Sequence, residues 1–160
     1  MAVTLADITK LRNITSAGMM DCKKALTETD GDIEAAVEIL RKKGQAVAAK
    51  REDRQASEGC VLAAHDGGFA AIVALNCETD FVAKNATFVA ATQKILDAAM
   101  AAKAKTLDEV KALTVDGHTI ADFISEESGK TGEKVELSVY ESLEAPATAS
   151  YNHLGNKLST

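Results

Sequence analysis

The chain is 160 residues long, 46% hydrophobic and carries a net charge of −6. That size suits one ordinary domain, or one small and one medium unit, and no apolar run approaches the ~18 residues needed to cross a bilayer. The charge is uneven: residues 1–55 hold ten basic against nine acidic side chains, and residues 56–160 hold eight against fifteen. The acidic part repels phosphate backbones, which makes nucleic acid a poor main partner. Only Arg41 to Arg54 is locally basic, and a solvated linker helix accounts for it. The start, Met1-Ala2-Val3-Thr4, has neither a secretory nor a transit pattern. Cys22, Cys60 and Cys77 are widely spaced with no Cys-x-x-Cys, so a reduced, cytoplasmic compartment is the expectation.

Leu5, Ile8, Leu11 and Ile14 recur every three residues and predict a first helix, with Thr4 as its N-cap. Gly18 breaks that pattern. Met19-Met20-Asp21-Cys22 opens a second helix ending near Leu26 to Glu28, and Asp30-Gly31-Asp32 reads as a turn. Asp32 caps a third helix on which Ile33, Ala36, Val37 and Leu40 share one face, with Glu34, Glu38 and Arg41 outward. Gly44 is expected to stop it. Three short helices in this span resemble the ubiquitin-associated fold, a compact bundle whose first loop exposes small and apolar residues. That loop is Ala17-Gly18-Met19-Met20. Methionine suits an adaptable contact surface, but methionine at helical spacing is also ordinary core, and both readings stand.

Gln45 to Ser57 is polar, alanine-rich and uninterrupted, a helical connector. The period then changes. Gly59 to Ala64 and Phe69 to Leu75 are β-type apolar runs joined by His65-Asp66-Gly67-Gly68, a hairpin signal. A long helical pattern covers Phe88 to Ala102, a shorter one Leu107 to Leu113, and another Ile120 to Glu127, introduced by Asp116-Gly117 and a Thr119 cap. Gly129 and Gly132 bracket a loop that leads into Lys134 to Tyr140, where strict alternation marks a strand with one wet face. Pro146 ends the segment, Ala149 to His153 begins another strand, and Leu154 to Lys157 reads as a turn. Only Leu158, Ser159 and Thr160 follow it, so the first arm is expected to keep unpaired backbone groups.

Between the second strand and the long helix lies Asn76-Cys77-Glu78-Thr79-Asp80-Phe81-Val82-Ala83-Lys84-Asn85. A strand-to-helix junction is usually polar because its backbone meets water, yet Phe81 and Val82 stand here beside Asp80. The sequence has four Phe, two Tyr and no Trp, so a large ring in a turn stands out. Phe81 either folds back as a staple over its own core, which the base rates of burial favour, or points outward as an anchor for a partner. Asp80 also reads as a helix cap for the turn that follows.

This junction, together with Leu11-Arg12 and Thr15 to Leu26 upstream, closely resembles the signature stretches of the elongation factor Ts family, in order and at a plausible distance. The likeness runs from the first helix to Tyr151 and His153. It implies an α+β fold. A ubiquitin-associated-like three-helix bundle (1–44) is followed by a helical linker (45–57) and a core subdomain with an antiparallel sheet and packed helices (58–145). The start of a second, incomplete core subdomain (146–160) comes last, so the sequence reads as an N-terminal portion of the family architecture. The resemblance further implies guanine-nucleotide exchange on the GTPase elongation factor Tu. Thr79, Asp80, Phe81 and Val82 would displace the partner's Mg²⁺, and Met19, Met20 and Lys23 of the bundle would make a second contact. Tyr151 and His153 match a family stretch near further contacts.

The residues themselves supply no rival chemistry. Gly129-Lys130-Thr131 imitates the end of a phosphate-binding loop, but Ile124 stands where that motif needs glycine. There is no Gly-x-Gly-x-x-Gly, the three histidines lack metal-ligand spacing, and Cys60 with His65, or Cys77 with His118, are not spaced as a thiol pair. We expect no enzyme, no cofactor and no metal. The alternative to an exchange factor is a passive helical adaptor that binds through the N-terminal bundle.

Overall fold

The computed structural model describes residues 3–160; Met1 and Ala2, at the start of the stretch searched for a targeting signal, lie outside them. In chain order the elements are α1 (Leu5–Thr15), α2 (Met19–Glu28), α3 (Ile33–Lys50), β1 (Glu58–His65), β2 (Phe69–Cys77), α4 (Asp80–Ala83), α5 (Ala86–Ala102), α6 (Leu107–Ala112), β3 (Thr114–Val115), β4 (His118–Thr119), α7 (Ile120–Thr131) and β5 (Glu136–Glu144). The architecture is mixed α+β, with a three-stranded antiparallel sheet in the order β1-β2-β5. The chain forms two compact units. One holds the residues up to Glu52 together with Ser125–Glu133; the other holds Asp53–Ile124 and Lys134–Thr160.

In the first unit Thr4 caps α1 as its sequence position suggests. Its hydroxyl accepts the Asp7 N–H at 3.2 Å while the Asp7 carboxylate accepts the Thr4 N–H at 3.0 Å, a reciprocal pairing that satisfies two otherwise orphaned donors. That hydroxyl is the main reason the Asp7 carboxyl is held below its ordinary pKa. Ile8 and Leu11 enter the core with Cys22, Ala25, Leu26 and Ala36, and Ile33, Val37 and Leu40 pack on it. Leu5 and Ile14 are exposed. A three-residue spacing falls short of the 3.6-residue turn, so the ends of the row rotate away from the face its middle occupies.

Gly44 does not end α3, which continues to Lys50. Gly129, expected in a loop, lies inside α7. One contact explains both departures. A Cβ on Gly44 would lie 2.8 Å from the Ser125 carbonyl oxygen, and a Cβ on Gly129 would lie 2.5 Å from the Gly44 Cα. These glycines serve close backbone approach rather than chain reversal. Past Lys50 the chain turns at residues 51–53, and residues 54–57 are not helical.

The second unit is built on the β1–β2 hairpin. Gly67 takes φ +85° at its turn, and the Asp66 carboxylate accepts the Phe69 N–H at 3.2 Å. Cys60, Leu62, Phe69, Ala71, Val73 and Leu75 alternate onto one sheet face. There they meet Phe88, Ala91, Ile95, Leu96 and Ala99 of α5 in a continuous core that also takes in Val110, Ile120 and Phe123. The Asp116-Gly117 pair is more than an introduction to α7. With φ of 52° and 85° it forms the turn of the small β3–β4 hairpin, a geometry that Asp-Gly favours. Two-residue arms are too short to show a period, which is why the hairpin was not legible.

Strict alternation does not survive in β5. Its register against β2 shifts between Ala74 and Leu75, where Val139 pairs with Ala74 but Leu137 pairs with Leu75, leaving Ser138 as the extra residue. A bulge of this kind exchanges the faces of everything beyond it. Leu137 and Tyr140 are therefore buried while Val139 is 43% exposed. The Tyr140 hydroxyl donates to the Ala104 carbonyl at 2.6 Å, and burial pushes its pKa up. Tyr140→Phe is expected to cost about 1–2 kcal/mol, because it strips a buried carbonyl of a donor; urea unfolding checks this.

The final residues also depart from expectation. Ala149 to His153 is not a strand but holds a single bridge, Asn152 to Ser159. After a 3₁₀ turn at Leu154–Asn156 the chain returns. The Tyr151 and Thr160 backbones exchange bonds of 2.7 and 2.9 Å, and the His153 N–H donates to the Leu158 carbonyl at 2.9 Å. The first arm is thus paired. Asn152 meanwhile bonds both the N–H and the carbonyl of Ala63, at 2.7 and 3.0 Å, and the Ser159 hydroxyl donates to the Val61 carbonyl at 2.9 Å. Side-chain amide and hydroxyl groups thereby cover part of the β1 edge.

Candidate partner-binding site

The junction after β2 folds as a tight corner. Cys77, the last residue of β2, is buried and donates its thiol to the Thr79 carbonyl at 3.2 Å. The Glu78 carboxylate accepts the Lys134 N–H at 2.7 Å, tying the corner to the segment that leads into β5. Thr79, not Asp80, is the N-cap of α4, and its hydroxyl accepts the Val82 N–H at 3.5 Å. Asp80 is the first helical residue. Two residues past Ala83, Asn85 caps α5 by accepting the Thr87 N–H at 3.0 Å.

Within this single turn the side chains sort by direction. Ala83 is buried and Val82 packs against the core, so the turn is pinned from below. Phe81 is 84% exposed. The staple reading is therefore overturned: the ring stands out in solvent and does not fold back over its own core. The reason is helical geometry. Positions 82 and 83 take the inward arc of a one-turn helix, and the residue before them points about 100° or more away.

Asp80 is paired. Its carboxylate accepts a hydrogen bond from Lys84 Nζ at 2.7 Å, one helical turn along. That bond, then the Lys84 charge, holds the Asp80 carboxyl below its ordinary pKa; Lys157 adds a smaller contribution. The same bond raises Lys84. With Asp80 depressed, the pair's contribution is present above the ordinary carboxylate pKa and lost as pH falls through the depressed one. With Lys84 raised, it is lost again only as pH rises through the elevated lysine value. The pair is therefore fully formed across neutral pH. Lys157 itself bonds Glu58 of β1 at 3.0 Å.

Met19, Met20 and Lys23 form a separate group in the first unit, on the opening turns of α2. Met19 and Met20 are 45% and 76% exposed, and Lys23 is exposed too. The core positions of this helix are instead Cys22, Ala25 and Leu26, so the reading of the two methionines as core is overturned. Tyr151 and His153 are also exposed, their rings 5.9 Å apart. Sequence reasoning passed over Lys84 as a site residue although its i,i+4 spacing from Asp80 was legible. The Glu58–Lys157 pair joins residues 99 apart in sequence and left no such signal.

The other sequence motifs do not assemble. Gly129-Lys130-Thr131 lies within α7, where it has no loop to wrap a phosphate. Among the described residues no cluster of His, Cys, Asp and Glu suits a metal ion, and no helix is long and apolar enough to cross a membrane. The three cysteines are buried thiols, and loss of solvation raises Cys22 and Cys60.

A helical N-terminal unit, and a sheet-based unit whose corner turns an aromatic ring to solvent, define a mixed α+β protein that displays isolated apolar side chains on short helices. Known proteins of this description are similar to it in sequence. The family profile for elongation factor Ts matches residues 78–160. The elongation factor Ts of Parabacteroides distasonis is 66% identical over 161 residues, covering 100% of this chain and 49% of the relative. That of Phocaeicola vulgatus is 67% identical over 156 residues, covering 98% and 47%. That of Porphyromonas gingivalis is 60% identical over 161 residues, covering 100% and 59%. The chain belongs to the elongation factor Ts family. It spans about half the length of the curated relatives it matches.

Proposed function

We propose that the chain acts in translation elongation by promoting GDP release from elongation factor Tu, binding that GTPase through the α4 corner and displacing its Mg²⁺. The observation that carries this reading is the Phe81 ring, 84% exposed on a turn whose next two residues are anchored in the core. Such a factor makes and breaks no covalent bond. It binds the partner more tightly once nucleotide and metal have left, and by linkage nucleotide then binds the complex more weakly by the same factor.

The magnitudes set what the corner must do. A shift of about 10⁴ in nucleotide affinity requires roughly 5.5 kcal/mol of differential contact. A buried phenyl ring contributes about 1.5–3 kcal/mol, so Phe81 is the largest single contributor but not sufficient. Thr79, Asp80 and Val82 on the same turn, and Met19, Met20 and Lys23 on α2, are the groups we assign to the remainder. Asp80 would compete for the hydrogen bonds that order the partner's metal and phosphate site.

The test is release of fluorescent GDP from purified elongation factor Tu. Substoichiometric chain should accelerate release severalfold, and excess GDP with Mg²⁺ should dissociate the complex. A folded chain that leaves the release rate unchanged at saturating concentration refutes the proposal.

A further inference from the structure

We propose that Lys84 is the positioning residue of this corner: bonded to Asp80 across the single turn of α4, it sets the direction of Phe81 before any partner arrives. The inference rests on the reading of Phe81 as the partner-contacting ring.

α4 has four residues, well below the length at which a helix sustains itself in water. Backbone bonds run from Ala83 N–H to Thr79 at 3.2 Å, from Lys84 N–H to Asp80 at 3.0 Å and from Asn85 N–H to Val82 at 3.0 Å, and the cap bond from Val82 is long at 3.5 Å. Val82 and Ala83 anchor the inner side. On the outer side Phe81 has little to lean on, so its direction follows the backbone that carries it. The Asp80–Lys84 side-chain bond of 2.7 Å spans the same two residues as the Lys84 N–H to Asp80 backbone bond and lies on the solvent side. It is a second tie across the turn, with Phe81 between its ends.

The charges around it favour that tie. Lys157 acts on Asp80 and Glu58 acts on Lys84, each with the sign that strengthens the ionised form, while Glu58 and Lys157 bond each other at 3.0 Å. The corner is therefore flanked by two ion pairs drawn from α4, β1 and the chain's last turn. Exposed pairs of this kind add little to global stability. Their effect here falls instead on the fraction of molecules with the ring ready, and apparent affinity scales with that fraction while the rate at saturation does not.

Two readouts test this. In GDP release, Lys84→Met should raise the concentration for half-maximal stimulation about two- to fivefold, the population change open to an exposed pair, with the maximal rate unchanged. Lys84→Arg should restore the original value. In an Asp80→Asn background Lys84→Met should add nothing, because its partner is gone. Additive effects, or a fall in the maximal rate, would mean that Lys84 acts on the partner directly and would overturn the assignment. The second readout needs no partner. With fluorophenylalanine at all four Phe positions, Lys84→Met should shift the Phe81 fluorine resonance and leave those of buried Phe69, Phe88 and Phe123 in place. An unmoved Phe81 resonance overturns the proposal even if exchange proceeds. If the unsubstituted chain fails to stimulate release, the proposed function falls, and the fluorine spectrum still decides whether Lys84 sets the ring.

Discussion

Phe81→Ala is expected to reduce stimulated GDP release about 10- to 100-fold in apparent second-order rate, the equivalent of losing a buried ring worth about 1.5–3 kcal/mol. The same substitution should move the thermal midpoint by no more than about 2 °C. The ring is 84% exposed in the free chain, and changes at exposed positions stay within about 0.5 kcal/mol. The dissociation of the two readouts is the point. A staple residue loses stability and keeps exchange; an anchor residue loses exchange and keeps stability. A drop of many degrees in the midpoint, with release unaffected, would contradict both the exposed ring and the proposed role.

Gly44→Ala is expected to destabilise the first unit by about 1–3 kcal/mol or more, although alanine in a solvated helix gains about 0.5–1 kcal/mol over glycine. The sign is decided by what the new methyl meets. It would lie 2.8 Å from the Ser125 carbonyl oxygen and 3.1 Å from the Glu126 Cα, and these are backbone atoms that cannot rotate aside as a side chain does. Gly129→Ala should cost at least as much, since its Cβ would stand 2.5 Å from the Gly44 Cα. Both changes crowd the same close approach of α3 and α7, so their effects should not add. Urea unfolding of the single and double variants checks all three values. Stabilisation by Gly44→Ala would show that α3 and the later part of α7 do not touch as described.

Much of the fold was legible because it is locally encoded. Ile33, Ala36, Val37 and Leu40 announced α3, and the β-type apolar runs on either side of His65-Asp66-Gly67-Gly68 announced the hairpin; the observed strand ends differ by at most two residues. The candidate site was legible as a stretch but not as a geometry. Phe81 beside Asp80 stood out as an aromatic in a turn, yet which way the ring points depends on which arc of α4 the core captures. Burial statistics favoured the wrong side, because they average over rings that have a core within reach. Lys84 was in plain view at helical spacing from Asp80, whereas its flanking charges Glu58 and Lys157 come from residues far along the chain.

The amino-acid order by itself determined the helical first part, the β-hairpin and long helix of the second part, and the polar-aromatic junction that carries the family signature. Each follows from periods of two or 3.6 residues and from turn-forming pairs read within a short window. Only the tertiary structure decided that α3 runs through Gly44 to meet Gly129, that a bulge at Ser138 turns Tyr140 inward, that the last residues pair and cover part of β1, and that Phe81 faces solvent. The bulge and the cover over β1 depend on atoms brought together from far along the chain, such as Asn76 with Ser138, 62 residues apart, and Val61 with Ser159, 98 apart. No local window contains both partners of such a contact, so no local pattern could announce it.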